Sequence, residues 1–189
     1  MGHIRTFIAV KIAYTPEIRK VLNQIRKELK EEEIKWVDPE KLHITMKFIG
    51  ETDERKIPLM VKRLKEAAVK SKSFRMQIRG GGVFPKISRP KVLWMGLDYP
   101  GEMMELKENI EEVLKYLVPE EEKDFHPHLT IGRIKQRIVP EKMEMVLKKF
   151  GDEMIDQMIV ESFVLMQSQL QRVGPVYTPL KEFSLRKEE

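Results

Sequence analysis

Two short stretches decide how this chain folds: Leu42-His43-Ile44-Thr45-Met46 and Pro127-His128-Leu129-Thr130-Ile131. Each sets a histidine two residues before a threonine, between apolar neighbours. With four His and six Thr among 189 residues, chance supplies about 0.13 His-x-Thr triplets, so two in matching settings need a physical reason. Side chains in a strand alternate faces, which puts His43 and Thr45 on one side and Ile44, Met46 and Phe48 on the other. His128 and Thr130 stand in the same relation to Leu129 and Ile131. Each stretch therefore reads as a strand that offers one imidazole and one hydroxyl on a face that is not core.

Outward from these strands, apolar runs and amphipathic stretches alternate. Thr6–Ala13 reads as a buried strand. Thr15-Pro16 reads as a cap and first-turn proline for a helix to about Lys30, with Ile18, Val21, Leu22, Ile25 and Leu29 on one face. Leu42–Ile49 is a predicted strand, 53–70 a helix and Phe74–Ile78 a strand leading into Gly80-Gly81-Gly82. The order then repeats: strand Val92–Leu97, helix Gly101–Leu117 with Met104, Ile110, Val113 and Leu114 inward, strand His128–Ile134, helix Pro140–Phe150 and strand Met158–Gln167. The expectation is one domain over 1–189 with two similar lobes, about 1–80 and 92–170, and a tail, Gly174–Leu185, returning as an edge strand or to the core. Gly80–Lys91 reads as a flexible, basic connector.

Composition narrows the chemistry. The absence of cysteine removes thiol nucleophiles, thiolate zinc sites, iron–sulfur clusters and disulfides. A net charge of +5 and a pI near 9.2 permit a polyanionic partner, but such an excess more often marks a solvated surface. Lys and Glu are abundant and Asn occurs only at 23 and 109, a profile expected of a heat-adapted intracellular protein. Lys11 interrupts the first apolar run, so no secretory leader is expected, and no run nears the ~18 residues that cross a bilayer. Gly2 through Thr6 match a myristoylation pattern, but they read as the start of a buried strand. A cytoplasmic monomer without membrane contact is the expectation.

If the two halves are related by a pseudo-twofold axis, the two His/Thr faces meet in one cleft of about phosphate size. An imidazole has an unperturbed pKa near 6.5, so one histidine can be neutral while its partner is charged. The neutral ring takes a proton from the nucleophile and the charged ring gives one to the leaving oxygen. Thr45 and Thr130 can donate to the non-bridging phosphate oxygens. This chemistry requires neither a metal nor a covalent intermediate. His3 and His126 read as structural or surface residues. The rival reading gathers His43, His126 and His128 around zinc; Pro127, the lack of a fourth ligand and the unexplained threonines speak against it.

The two motifs, about 85 residues apart, resemble those of the two-histidine (2H) phosphoesterase superfamily. Within it the chain is similar to bacterial and archaeal RNA 2′,3′-cyclic phosphodiesterases, also known as 2′-5′ RNA ligases. The resemblance runs from Arg5-Thr6-Phe7 and Trp36-Val37 through Gly82-Val83-Phe84-Pro85 and Arg89-Pro90-Lys91 to Gly132-Arg133 and Gly174-Pro175-Val176-Tyr177. It implies an α+β, bilobal, pseudo-twofold fold with two antiparallel sheets facing across a central cleft and helices outside. It implies hydrolysis of 2′,3′-cyclic phosphate ends of RNA to 2′-phosphates. The reverse type of reaction would join tRNA halves through a 2′-5′ linkage. His43 would be the acid at the 3′-oxygen and His128 the base. Thr45, Thr130 and Arg133 would bind the phosphate, Arg133 only if a bulge or the strand's end turns it to the histidine face. No cofactor is required, although a nucleotide could bind. Lys47, placed on the His43 face by alternation, and Arg89 in the connector are candidate RNA contacts, and Phe84 or Trp36 are candidate base platforms. The alternative function is a nucleotide- or RNA-binding module on the same fold without turnover.

Overall fold

Residues 2–118, 125–171 and 174–187 are described by a computed structural model. Among them are nine strands and four helices: β1 (His3–Lys11), α1 (Pro16–Glu28), β2 (Ile34–Trp36), β3 (His43–Asp53), α2 (Ile57–Lys70), β4 (Phe74–Phe84), β5 (Val92–Asp98), α3 (Gly101–Leu114), β6 (Leu129–Ile134), α4 (Pro140–Phe150), β7 (Met154–Val160), β8 (Ser162–Gln171) and β9 (Gly174–Ser184). Among these residues no helix is long and apolar enough to cross a membrane.

The ends of the elements follow from local chemistry. Pro16 opens α1, and the Thr15 hydroxyl accepts from the Ile18 amide at 3.2 Å, a side-chain cap on a helix start that proline pre-shapes. The same hydroxyl donates to Asp156 at 2.6 Å, tying α1 to β7. Asp53 ends β3 and caps a short 3₁₀ turn, so α2 begins at Ile57, later than the pattern suggested. On α3 it is Met103, and not Met104, that is buried beside Ile110 and Leu114. The predicted strand Met158–Gln167 is two strands broken at Glu161. The glycines at 80–82 belong to β4, which leaves a connector of only residues 85–91.

All pairings between these strands are antiparallel, in the order β7-β4-β5-β6-β3-β1-β8-β9, with β2 added to β6. The sheet is strongly curled, and its two halves are continuous through a single pair, Ile44 opposite Leu129. The sequence repeats do not coincide with these halves. The third strand of each repeat crosses over: β4 pairs with β5, and β8 pairs with β1. The lobes are therefore interleaved, and the tail strand β9 closes the first half by pairing with β8. The boundaries at 80 and 92 mark the sequence repeats and not the halves of the sheet, since β4 and β8 each lie inside the half built on the other repeat.

One face of the sheet carries the main core. Ile8, Val10, Ile44, Met46, Leu129 and Ile131 are buried there with Ile18 and Leu22 of α1, Met60 and Leu64 of α2, Ile110 and Leu114 of α3, and Met143 and Val146 of α4. A second, smaller cluster of Phe7, Ala9, Val164 and Met166, with Tyr177 against it, lies on the other face. Burying a side chain such as Ile44 stabilises by about 1.5–3 kcal/mol.

The register is broken at two equivalent places. On β3, Thr45 opposes Ala9 and Lys47 opposes Ile8, leaving Met46 as an extra residue; on β6, Thr130 opposes Trp94 and Gly132 opposes Leu93, leaving Ile131 as the extra one. Such a bulge shifts every later side chain to the opposite face. Lys47 thus turns to the core side and Phe48 to the His43 side, the reverse of the alternation expected. Lys47 has a side chain only 4% exposed, 3.6 Å from Glu111 of α3, which also takes Lys107 at 2.5 Å. It does not share the His43 face.

Ile44 is fully buried at the single pair joining the halves. Ile44→Ala is expected to cost about 2–5 kcal/mol, read as a lower urea midpoint with an unchanged slope.

Candidate active site

The imidazoles are held alike. His43 Nδ1 lies 2.7 Å from the Lys41 carbonyl oxygen, and His128 Nδ1 lies 2.7 Å from the His126 carbonyl oxygen. A carbonyl can only accept, so Nδ1 carries a proton in both rings, and Nε2 is the nitrogen left to gain or lose one. Different local structures deliver the two carbonyls. Lys41 ends a 3₁₀ turn, Pro39–Lys41, capped by Asp38. His126 precedes Pro127, which biases it to extended backbone. The contribution of His126 that sequence reading did not find is therefore its backbone oxygen. The His126 side chain is exposed.

Aromatic rings wall both histidines. Phe7 and Tyr177 each lie 5.2 Å from His43 between ring centroids, Tyr177 edge-on, and they sit 5.1 Å from each other. Phe84 meets His128 edge-on at 4.9 Å, backed by Trp94 at 6.2 Å from His128 and 5.1 Å from Phe84. Trp94 lies flat over Gly82, where an added Cβ would fall 2.3 Å from the indole. Only glycine allows that approach. Phe84 is thus a wall of the His128 pocket. Trp36 packs against the main core, with the Arg26 guanidinium 5.3 Å from its ring. Phe7 and Tyr177 were legible only as members of the resembling segments, because which faces they share depends on the pairing of β1, β8 and β9.

The bulge at Ile131 turns the exposed Arg133 to the His128 side. Burial holds His43 below the usual imidazole value; the hydrogen bond to the Lys41 carbonyl opposes this, and the charges of Arg133 and His128 push the same way as burial. Burial raises Tyr177 above the usual phenol value, and Arg133 opposes that shift. Arg133 thus lies near enough to bear electrostatically on both residues of the opposite half. Thr45 and Thr130 follow their histidines on the same faces, opposite Ala9 and Trp94. Arg89 is exposed in the turn after β4, its amide donating to the Lys86 carbonyl at 3.0 Å. Among the described residues, no three His, Asp or Glu side chains are gathered as metal ligands.

Two imidazoles held alike by backbone carbonyls, each on a His-x-Thr stretch of one curled sheet, fit a two-histidine phosphoesterase. The family model for LigT-like phosphoesterases matches residues 12–94 and 98–177. The chain belongs to that family. It is 38% identical over 181 residues to the RNA 2′,3′-cyclic phosphodiesterase of Archaeoglobus fulgidus, covering 95% of this chain and 99% of that protein. It is 33% identical over 189 residues to the protein of the same name from Aquifex aeolicus, covering 98% and 99%. A Thermus thermophilus protein of known crystal structure superposes with a TM-score of 0.78 at 30% identity, covering 98% of this chain and all of that one. Apo LigT of E. coli shares the fold at a TM-score of 0.74 and 22% identity, covering 98% and 99%.

The depressed His43 value has a directional consequence. In histidine-resolved NMR titration, His43 is expected to titrate below about 6.5 in the free protein. Adding inorganic phosphate should move it upward, because an anion in the cleft favours imidazolium and offsets Arg133. A His43 value unmoved by saturating phosphate would show that the anion does not bind between the two rings.

Proposed function

We infer that this protein is an RNA 2′,3′-cyclic phosphodiesterase, a hydrolase acting on nucleotide or RNA ends in the cytoplasm as a monomer. The observation that carries the reading is the matched pair of Nδ1–carbonyl bonds, which present Nε2 of His43 and of His128 to one cleft. The names of the relatives support the substrate class.

In the proposed reaction a water oxygen attacks the cyclic phosphorus while His128 Nε2 takes its proton. The bond from phosphorus to the 3′-oxygen breaks, His43 Nε2 protonates that oxygen, and a 2′-phosphate remains. Thr45, Thr130 and Arg133 donate to the non-bridging oxygens, where the pentacoordinate state concentrates charge. The anionic substrate opposes the burial and, after it, the Arg133 and His128 charges that lower His43, returning it toward the protonated form an acid needs. Ligation replaces water by a 5′-hydroxyl at the same phosphorus, so His128 takes the proton of that hydroxyl and His43 still protonates the departing 3′-oxygen, and halves of tRNA are substrates of the right chemistry. Neither direction requires a metal or cofactor. Arg89 and Lys86, in the connector that leaves Phe84, are placed to meet backbone phosphates of a longer RNA.

Hydrolysis of adenosine 2′,3′-cyclic phosphate in excess chelator, with the product identified by phosphorus NMR, tests this reading. Turnover to the 2′-phosphate is expected. Each of His43→Ala and His128→Ala should lower kcat/KM by about 10²–10⁴ while the protein still melts cooperatively. Full activity in both variants overturns the mechanism, and activity that appears only with added metal ion moves the chemistry to a metal centre.

A further inference from the structure

Strand β1 alternates along its second half: Ile8 and Val10, with Ile12 after them, belong to the main core, while Phe7 and Ala9 lie on the other face, where Phe7 touches His43. Lys11 is next in that second series, exposed, and directly opposite His43 in the register. Directly opposed residues share a face, with Cβ atoms about 4.5–5.5 Å apart, so Lys11 flanks the imidazole on the open side of the sheet. Lys35 stands in the same relation to Arg133. It is opposite Arg133 on β2, exposed, between Ile34 and Trp36, which pack on the core. Its ammonium reaches the β8–β9 hairpin of the other half, where a Cβ on Gly174 would fall 2.9 Å from Nζ. Both lysines lie at the β2 end of the site, and the connector that carries Lys86 and Arg89 arrives there too, since the Ile134 amide donates to the Lys91 carbonyl at 2.9 Å. This end carries Lys11, Lys35, Lys41 and Arg133 against the carboxylates Asp38 and Glu40, and Asp38 is itself 3.8 Å from Lys41. At the opposite end of the β1–β3 ladder the charges are matched: Arg5 lies 3.9 Å from Glu51, and Arg55 donates to Asp53 at 2.9 Å.

We propose that Lys11 and Lys35 form a subsite for the RNA phosphate on the 5′ side of the terminal nucleotide, and so lead the chain out of the site over the β2 end. The proposal rests on the phosphodiesterase reading for its choice of ligand. The last nucleotide of an RNA that ends in a cyclic phosphate carries one other phosphate, on its 5′-oxygen, a single sugar away from the reacting group. A lysine holds its charge four methylenes from the backbone, so from beside His43 the ammonium of Lys11 reaches past the ring toward a neighbouring anion. Lys35 meets the same region from β2. An ammonium has three donors, so a contact within the protein leaves others for a phosphate. Contacts of this kind position the chain without reading its sequence. They favour any RNA end over a single nucleotide, and they give the cleft a direction that its pseudo-twofold symmetry lacks.

The ratio of kcat/KM for the dinucleotide ApA ending in a 2′,3′-cyclic phosphate to that for adenosine 2′,3′-cyclic phosphate tests the subsite. The parent is expected to prefer the dinucleotide, and Lys11→Gln and Lys35→Gln should each lower that preference by roughly two- to fivefold at low salt, the worth of one exposed ion pair. Each substitution should also flatten the fall of log preference with log salt concentration by about 0.7. Lys11→Arg, which keeps the charge, should retain the preference. A dinucleotide with an uncharged methylphosphonate linkage should be indifferent to both Gln substitutions. A parent without preference, Gln variants that keep it in full, an equal loss on the mononucleotide or an equal loss on the methylphosphonate each overturns the subsite. If the parent hydrolyses none of these substrates, the phosphodiesterase reading fails; calorimetric binding of ApA ending in a 2′-phosphate, relative to adenosine 2′-monophosphate, then decides the role of the lysines by the same ratio.

Discussion

The pairing of Ile44 with Leu129 is the constraint on which the site depends. It is the only register pair between β3 and β6, and each partner directly follows a catalytic candidate. In an antiparallel pair with that register, position 43 falls across from 130 and position 45 across from 128. In the proposed site each imidazole then neighbours the threonine of the other motif, with the two histidines on a diagonal. Diagonal neighbours in a regular ladder stand about 7–8 Å apart, a spacing that suits the proposed phosphate. The buried Ile and Leu face the helices, so the same contact that closes the core holds the two half-sites at working distance.

Around that pair the protein uses rigid, local devices. Backbone carbonyls two residues upstream fix both ring orientations, and aromatic walls fix the ring planes. The bulges let strands with strictly core-facing reverse sides turn a third side chain, Phe48 on β3 and Arg133 on β6, to the histidine face. Without the bulge at Ile131, Arg133 would point into the packed helices at the cost of a buried charge. Without the bulge at Met46, Phe48 would be core and Lys47 would be in the cleft. The pairing of Lys47 and Lys107 with Glu111 shows how the buried face accommodates the displaced ammonium group.

The crossed strands explain why neither repeat is a lobe. β4 completes the half built on β5 and β6, and β8 completes the half built on β1 and β3. Each half of the sheet thus contains chain from both repeats, and simple separation of the repeats would break five strand pairings, β1–β8, β2–β6, β3–β6, β4–β5 and β4–β7. The proposed chemistry, which depends on two rings kept at a set distance, is suited to a scaffold so cross-linked by its own topology.

Much of this was legible in the residues themselves. The His-x-Thr triplets put each histidine and its threonine on one face because strand alternation is local: two residues apart means one face, whatever the partner strand. The four helices were legible because their apolar positions recur at helical spacing, and Thr15-Pro16 marked the start of α1 by its own hydrogen-bonding chemistry. What only the tertiary structure decided were quantities set between strands. Alternation assigned Lys47 and Phe48 to the wrong faces because a bulge is defined by the partner's register, to which local sequence is blind. The ring walls of Phe7, Tyr177 and Trp94 and the exchange of β4 and β8 are likewise products of long-range pairing, whereas the carbonyls of Lys41 and His126 are local but carry no side-chain signal. The sequence by itself determined which groups are candidates for the chemistry; the pairing of distant strands decided where those groups stand.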